Sequence, residues 1–578
     1  MKNSSFTLEH ALYLLAIILA LGVRFLNLGV LQLSDFEAGW ALQALHVAQG
    51  LRPSLDPNPA YLHLTAILFY IFGGTDFLAR FWPALAGSSL ALVPFFFRRR
   101  LGRLPALILA FGLALDPGLA ALSRLAGSSM LAIAFVMLTW AMWDQERRAV
   151  AGVFAALALL SGPSAWLGLL GLGLAWAILS AVQRRMAPAG EEAEAGEEQP
   201  APASPAPRWK TLRIPLAWGL GALLVVGSLL FLSPQGLTGI FTGLWAFLRG
   251  WWTLSDTLTT HVLIAFPVYE LMPLIFGLVA IGRGAFRRDP LSIGLGIWML
   301  VALLLAIIYP GKAVSDLAWA ILPLWTLAAL EIGKHFDFEG RNPWELAAIV
   351  AFLIVLVVFG LLDLASVTTM DPASSDARTR LYLLFFVFLL LGLSLLLVGG
   401  GWSADIARLG AVWGGMLVLT AYTISVMTGT TGLRTPLTED LWTPEPRTAG
   451  ADLLLKTVDQ ISDLNQGGVG ALPVTVEGVT SPSLFWTLRN WDVQTVASLG
   501  PTDAPAMVIT PVNIQLSQEK GYRGQGFTWR ESTSWSTVAQ SNWLNWLVYH
   551  QLPVQHDTII LWVRGDLIVD NQSQTANP

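Results

Sequence analysis

The chain has 578 residues, of which 54% are hydrophobic and 13% are charged, and its mean hydropathy is +0.59. These values are typical of polytopic membrane proteins and exclude an ordinary soluble domain. A formal net charge of −5 argues against nucleic acid as a partner, and the absence of cysteine excludes disulfides, thiolate metal sites and a cysteine nucleophile.

The first apolar segment, 8–28, is about long enough to cross a bilayer and has no small-residue cleavage site, so we interpret it as a retained helix and not as a signal peptide. Similar segments recur to about residue 427. The thirteen predicted spans are 8–28, 81–97, 104–122, 126–143, 150–164, 166–183, 213–233, 262–282, 290–309, 315–333, 344–364, 381–399 and 408–427. The apolar segment 61–72 is short, and we interpret it as an interfacial or re-entrant helix, with a tilted span as the alternative.

Basic residues predict the orientation of these spans. With a cytoplasmic N-terminus, alternating spans place the clusters Arg98-Arg99-Arg100, Arg147-Arg148, Arg184-Arg185 and Arg287-Arg288 inside, and the opposite loops hold only scattered cations. An odd number of spans then puts everything after residue 427 outside the cytoplasm. We therefore predict a multi-pass protein of the cell membrane with an extracytoplasmic C-terminal domain.

The polar segments divide the chain into modules. Residues 186–212 begin with a Pro-, Ala- and Glu-rich stretch that cannot bury enough surface to fold, and we predict a disordered cytoplasmic linker there. It separates an N-terminal membrane module, 1–185, from a C-terminal membrane module, 213–430. Alternating helical and strand patterns over 431–578 predict a small α/β domain. Its tryptophan-rich segment 535–549 is either a packed helix or a surface that rests on the membrane.

The run Ser34-Asp35-Phe36-Glu37 carries two carboxylates just after the first span. Charged groups at a membrane mouth are costly unless they are solvated, paired or used in chemistry. One carboxylate could take a proton from an acceptor hydroxyl while the other orients it or binds a divalent cation. The alternative is structural, with Ser34 or Asp35 capping a helix that has Glu37 in its first turn.

Several short motifs follow this pair in a fixed order. They are Pro59-Ala60-Tyr61-Leu62, Gly73-Gly74, the run 78–87 that contains Arg80, Asp116-Pro117, Ser123-Arg124, Tyr309-Pro310-Gly311-Lys312 and Ile321-Leu322-Pro323-Leu324. The ordered set resembles the GT-C superfamily of integral-membrane glycosyltransferases, particularly the protein O-mannosyltransferase and aminoarabinose-transferase branch. It is also similar to relatives associated with the flipping of lipid-linked oligosaccharides. The resemblance is best over residues 8–185, and it implies a GT-C-like helical membrane fold.

The resemblance also implies roles for individual residues. The acidic motif of the first external loop (30–80) matches Asp35 and Glu37, and its Asp is the expected catalytic base or the residue that orients the acceptor. Arg80, Arg124 and Lys312 match basic residues that would hold the phosphate of a lipid-linked donor. For Arg80 alone, an interfacial arginine that snorkels to the headgroups is the commoner explanation. The chain departs from the pattern at 125–129, where a second acidic residue is missing, and at Leu317-Ala318, where an aromatic pair is usual.

Other ionisable residues are weaker candidates. His46 and His63 could assist acid–base chemistry or bind a metal. Glu270, inside an apolar span, is a functional candidate because intramembrane carboxylates are costly, but it could equally pair with Arg124 or Lys312. Asp116 before Pro117 indicates a helix kink more than catalysis.

The leading hypothesis is therefore an inverting glycosyltransferase that moves a sugar from a polyprenyl-phosphate donor to an extracytoplasmic protein, lipid or glycan. The sequence indicates no certain cofactor, and a divalent cation (Mg²⁺ or Mn²⁺) is left open. The alternative is a non-enzymatic flippase-associated or envelope scaffold protein. A transporter is disfavoured because the charges cluster at an external loop and not on broken helices at mid-membrane.

Overall fold

The computed structural model describes residues 7–186, 208–336, 342–371, 374–435, 437, 439–442, 445–466, 472–500, 503–516, 521–533, 535 and 540–568. The predicted linker 186–212 lies outside these residues except at its ends. Met186 ends one helix, and Arg208 begins the next, so the helix starts earlier than the linker was predicted to end.

The N-terminal module is helical throughout. Its helices are α1 Leu8–Phe25, α2 Asp35–Ala48, α3 Pro59–Phe72, α4 Asp76–Leu90, α5 Val93–Leu101, α6 Arg103–Leu115, α7 Pro117–Ser123, α8 Met130–Asp144, α9 Arg148–Leu159 and α10 Pro163–Met186. The second module continues with α11 Arg208–Gly227, α12 Gly239–Arg249, α13 Thr259–Tyr269, α14 Leu271–Arg287, α15 Pro290–Ile308, α16 Ala318–Ile332, α17 Pro343–Thr368, α18 Ser375–Gly401 and α19 Ala404–Thr430.

Eight helical stretches among the described residues are long and apolar enough to cross a membrane, and two bent helix pairs raise the number to ten. Each of the thirteen predicted spans overlaps a helix or a pair of helices, but α8, α9 and the stretch Leu212–Gly227 of α11 are shorter than these. The number of thirteen crossings therefore stays a prediction. The segment 61–72 forms most of α3, which has 14 residues and so a length of about 21 Å. That is less than the ~30 Å of a bilayer core.

Two helix breaks shape the interior of the membrane part. The axes of α6 and α7 differ by 53°, and those of α13 and α14 by 85°. At the first break Asp116 caps α7, with its Oδ1 accepting a hydrogen bond from the Leu119 amide at 2.7 Å. This agrees with the interpretation of Asp116 as part of a helix kink.

The C-terminal domain contains a six-stranded mixed sheet in the order β1-β5-β6-β4-β2-β3. Its elements are β1 Arg447–Thr448, α20 Ala451–Gln466, β2 Val474–Glu477, α21 Pro482–Thr487, β3 Val493–Val496, β4 Met507–Pro511, β5 Tyr522–Ser532, α22 Gln540–Tyr549 and β6 Gln555–Arg564. The β2 strand pairs in parallel with β3 and β4, and the other pairs are antiparallel. Of the tryptophan-rich segment, Trp546 is 1% exposed and packs against Trp535 and Trp543, which favours the packed helix.

The C-terminal domain docks on the loop that follows α1. Thr448 donates to the carbonyl of Leu33 at 2.8 Å, and the Trp486 indole donates to Asp76 Oδ1 at 2.7 Å. The domain and the first loop therefore lie on the same side of the helical bundle, as the predicted orientation requires.

Cysteine labelling tests which side this is. Because the chain has no cysteine, single cysteines at Ser204 in the predicted linker and at Gln494, exposed on the edge strand β3, report without background. We expect an impermeant thiol reagent to label position 494 on intact cells and position 204 only after permeabilisation. Labelling of position 204 on intact cells would show that the predicted orientation is wrong.

Candidate functional site

The first loop leads directly into α2, whose start is fixed by a capping box. Ser34 Oγ accepts a hydrogen bond from the Glu37 amide at 3.3 Å, and Glu37 Oε2 accepts one from the Ser34 amide at 3.2 Å. This is the structural alternative that the spacing of the motif left open. Asp35 occupies the first helical position, so its side chain lies on a different face from that of Glu37.

Glu37 forms a buried, bidentate ion pair with Arg80 of α4. Arg80 Nε and Nη2 donate to the two Glu37 oxygens, each at 2.7 Å, and the side chains are only 2% and 6% exposed. The remaining N–H groups of Arg80 bind the carbonyls of Leu28, Leu31 and Gln32 at 3.1, 2.6 and 3.2 Å. All five donors of this guanidinium are therefore used within the protein, and Arg80 does not snorkel to a lipid surface.

Arg124 lies beside this pair, just after α7. Its Nη1 donates to carbonyls at the end of α1, among them Leu26 at 2.8 Å, and its Nη2 donates to Asn27 at 3.3 Å. Its Nε and the second hydrogen of Nη2 have no partner in the described part of the chain. Burial, and then the positive charge of Arg80, lower the pKa of Arg124 to about 10. An anion in front of Arg124 would offset both effects.

Asp35 faces the C-terminal domain. Its Oδ1 accepts hydrogen bonds from the hydroxyls of Ser481 and Ser483 at 2.6 and 2.7 Å and from the Ser483 amide at 3.0 Å. Its Oδ2 forms an ion pair with Arg530 of β5. We call this set of contacts the Asp35 clamp. It ties the first loop to two separate parts of the sheet domain.

A cavity of about 930 Å³ lies between the first loop, the ends of the membrane helices and the C-terminal domain. Its charged lining is Glu37, Arg80, Arg124, Asp316, Asp440, Glu445, Arg447 and Glu531. An apolar wall is formed by Leu28, Val30, Leu31, Leu122, Leu125, Leu167 and Leu254. The cavity therefore presents cations and carboxylates beside a surface suited to a hydrocarbon chain.

The structure brings together some of the predicted residues and separates others. Arg80, Arg124 and Glu37 line the cavity, but Asp35 and Lys312 do not. The residues directly before and after each of these two in the sequence do line it. Lys312 Nζ donates to the carbonyl of Ile307 at 3.3 Å.

The weaker candidates lie elsewhere. His46 is in the last turn of α2, and His63 Nδ1 is 2.7 Å from the carbonyl of Val226. Glu270 lies beside Asp116, not beside Arg124 or Lys312. Among the described residues, no group of three or more His, Cys, Asp or Glu could hold a metal ion.

Asp316 is a cavity residue that the sequence analysis missed. It is 7% exposed, and its Oδ2 accepts a hydrogen bond from the Ala313 amide at 3.0 Å. Its other oxygen has no partner among the described residues. The available signal was its position four residues after Lys312, at the start of a Pro-containing helix.

Glu445 is a second such residue, near the side of the cavity that faces Asp35. Desolvation first, and then the charges of Asp35 and Asp256, raise the pKa of Glu445. Glu445 could not be recognised from the sequence, because the residues around it are rich in proline and threonine and have no helical or strand periodicity.

Comparisons with solved structures show the fold. The chain resembles ArnT from Cupriavidus metallidurans bound to undecaprenyl phosphate, with a TM-score of 0.53 and 15% identity, over 96% of this chain and 99% of that one. For ArnT in the apo state the values are 0.54 and 14%, over 98% and 100%. These alignments span both modules and the C-terminal domain, and they confirm the predicted fold, a multi-pass helical membrane protein with a small C-terminal domain.

A third structure, an oligosaccharyltransferase from Archaeoglobus fulgidus in complex with Zn and sulfate, aligns with a TM-score of 0.38 and 13% identity, over 88% of this chain and 68% of that one. This TM-score is too low to show that the two chains share a fold. No protein-family model and no curated protein sequence matches the chain.

Proposed function

We propose that this chain, which has the fold of ArnT, is a membrane glycosyltransferase that uses a polyprenyl-phosphate-linked sugar. The observation that carries the proposal is the cavity, in which a partly unpaired buried arginine lies next to an apolar wall. A lipid phosphate carries the charge that Arg124 lacks and the hydrocarbon chain that the wall would accommodate. ArnT was crystallised with a ligand of this kind, undecaprenyl phosphate.

The donor phosphate would bind at Arg124, through the N–H groups that have no partner in the described chain. Arg80 would contribute less directly, because its five donors are already used and its charge is paired with that of Glu37. It also fixes Glu37 and the carbonyls after α1, so it shapes the wall against which the phosphate rests. Lys312 would need to leave the Ile307 carbonyl to take part.

The acceptor would be an alcohol. Its oxygen attacks the anomeric carbon on the face opposite the phosphate, the bond from that carbon to the phosphate oxygen breaks, and the polyprenyl phosphate leaves with the electron pair. The hydroxyl proton passes to a carboxylate. We propose Asp35 as this base, because its Oδ1 already accepts hydrogen bonds from two hydroxyls, those of Ser481 and Ser483, which an acceptor hydroxyl could replace.

Lipid binding tests the proposal. Undecaprenyl phosphate should raise the unfolding temperature of the purified protein, since a ligand that binds only the folded state stabilises it. Undecaprenol, which has the same chain without the phosphate, is the matched control and should have little effect. Equal stabilisation by both lipids, or by neither, would contradict a phosphate-binding cavity.

Arg124→Lys should weaken the binding of undecaprenyl phosphate about tenfold or more, because the planar fork is lost and a charge-assisted hydrogen bond contributes about 1.5–3 kcal/mol. The readout is the lipid-dependent shift of unfolding temperature, measured against the same variant without lipid, so that any loss of the contacts to α1 cancels. Arg52→Lys, in an exposed part of the first loop, is the control. An unchanged affinity in Arg124→Lys would place the phosphate elsewhere.

One observation favours the second candidate, a non-enzymatic scaffold. Asp35, Glu37 and Arg80 all have structural partners, and Asp35 binds the C-terminal domain through both oxygens. A scaffold would need this domain docked permanently. Comparing the surface glycans of cells that have the wild-type chain, the Asp35→Asn variant or no chain separates the two candidates, because only a transferase needs the Asp35 carboxylate as a base.

A further inference from the structure

Asp116 and Glu270 come from the two helix breaks of the membrane part. Asp116 lies between α6 and α7, and Glu270 lies between α13 and α14. Both residues are 0% exposed, and their carboxyl groups are placed so that they can share a hydrogen bond when one of them carries a proton. The two breaks therefore meet through a pair of acids.

Asp116 accepts more hydrogen bonds from the surrounding residues than Glu270 does. Asp116 accepts hydrogen bonds from the Leu119 amide at 2.7 Å and from the Trp325 indole at 2.6 Å. Neither oxygen of Glu270 has a hydrogen-bond donor of normal geometry in the described part of the chain, although the Gly118 amide and the Trp325 indole approach it. Two ionised carboxylates are acceptors only, so contact between them requires a proton on one of them.

The surrounding charges indicate how many protons the pair holds. Arg24 of α1 is 0% exposed and lies near Asp116, while its own N–H groups bind Ser123 Oγ and the carbonyls of Ala114 and Leu113. Among the described residues, Tyr422 of α19 also lies near Glu270, and its hydroxyl donates to the carbonyl of Val268. One proton on the pair leaves one negative charge against the single positive charge of Arg24. Two protons would leave Arg24 uncompensated, and none would leave an excess negative charge, both costly inside a membrane.

We propose that Asp116 and Glu270 form an intramembrane proton-binding site that holds one shared proton. The site lies behind the wall of the cavity, since the residue before Glu270, Tyr269, donates from its hydroxyl to Asp440 Oδ1 at 2.9 Å and Asp440 lines the cavity. Asp440 also contacts His550 Nδ1 at 3.2 Å. Loss of the proton would make the two helix breaks repel each other, so the proton holds this part of the cavity wall in place. The inference does not depend on the proposed transferase reaction.

Infrared spectroscopy of the full-length protein in liposomes at neutral pH tests the site. The C=O stretch of a protonated carboxylic acid is separate from the bands of a carboxylate and shifts in D₂O. We expect wild type minus Glu270→Gln to show the loss of one such band, and wild type minus Asp116→Asn to show the same loss. Asp363→Asn is the matched control, because Asp363 is also buried in a membrane helix but is paired with Arg380 at 2.6 Å. It should lose only carboxylate bands.

Carboxylate bands lost from Glu270→Gln and Asp116→Asn, with no carboxylic acid band, would overturn the proposal. So would the loss of a carboxylic acid band from Asp363→Asn as well. If neither variant folds, the wild-type spectrum decides alone: a carboxylic acid band that exchanges slowly in D₂O supports a buried proton, and the absence of any such band contradicts it.

Discussion

Asp35→Asn is expected to lower the rate of sugar transfer by about 10²–10⁴-fold, the usual contribution of a general base. Asparagine has the same shape and can still accept hydrogen bonds from Ser481 and Ser483 through its amide oxygen. Fold and abundance should therefore be kept while the proton acceptor is lost. The measurement is transfer in membranes that contain the native donor, or the surface glycans of complemented cells.

Two control variants distinguish a catalytic role of Asp35 from its structural role in the Asp35 clamp. Arg530→Gln breaks the same ion pair as Asp35→Asn but leaves the carboxylate, so it should retain most of the transfer. Asp316→Asn removes a cavity carboxylate, one oxygen of which has no partner among the described residues. Equal losses in Asp35→Asn and Arg530→Gln would reduce Asp35 to a docking residue, and a loss confined to Asp316→Asn would make Asp316 the base.

Glu37→Gln should destabilise the fold by about 3–5 kcal/mol, because it leaves the Arg80 guanidinium buried without its counter-charge. The measurement is the midpoint of unfolding in mixed detergent micelles. Transfer should fall in proportion to the folded protein and no further, since Glu37 takes no part in the proposed chemistry.

The double variant Glu37→Gln/Arg80→Met provides the matched control. It removes both charges together, so it should recover much of the stability lost in Glu37→Gln. A Glu37→Gln protein that is as stable as wild type would mean that the pair is solvated, and that Arg80 is free to bind a phosphate.

Much of the fold could be predicted because it depends on local signals. Apolar length located the helices of the membrane part, and the clusters of arginine predicted the first loop and the C-terminal domain on one side of the bundle, where the structure places both. The strand β5 is hard to recognise in the sequence because Gly524, Gly526 and several charged residues interrupt its pattern. Its inward side chains Phe527 and Trp529, 2% and 1% exposed, carry the alternation only over a few residues.

The candidate site was harder to predict because its contacts join distant parts of the chain. Glu37 and Arg80 were both singled out, but only the fold shows that they satisfy each other. The partner of Glu270 is Asp116 and not a cation, which no local pattern indicates. Asp316 caps the start of a helix, and such a residue cannot be distinguished from an ordinary cap until the cavity in front of it is seen.

The Asp35 clamp also bears on how the protein is made. Asp35 is synthesised near the beginning of the chain, whereas its partners Ser481 and Ser483 follow 446 and 448 residues later. During translation the Asp35 carboxylate therefore lacks these hydrogen-bond partners until the C-terminal domain has been synthesised. A chain that ends before the C-terminal domain would therefore leave Asp35 without these partners.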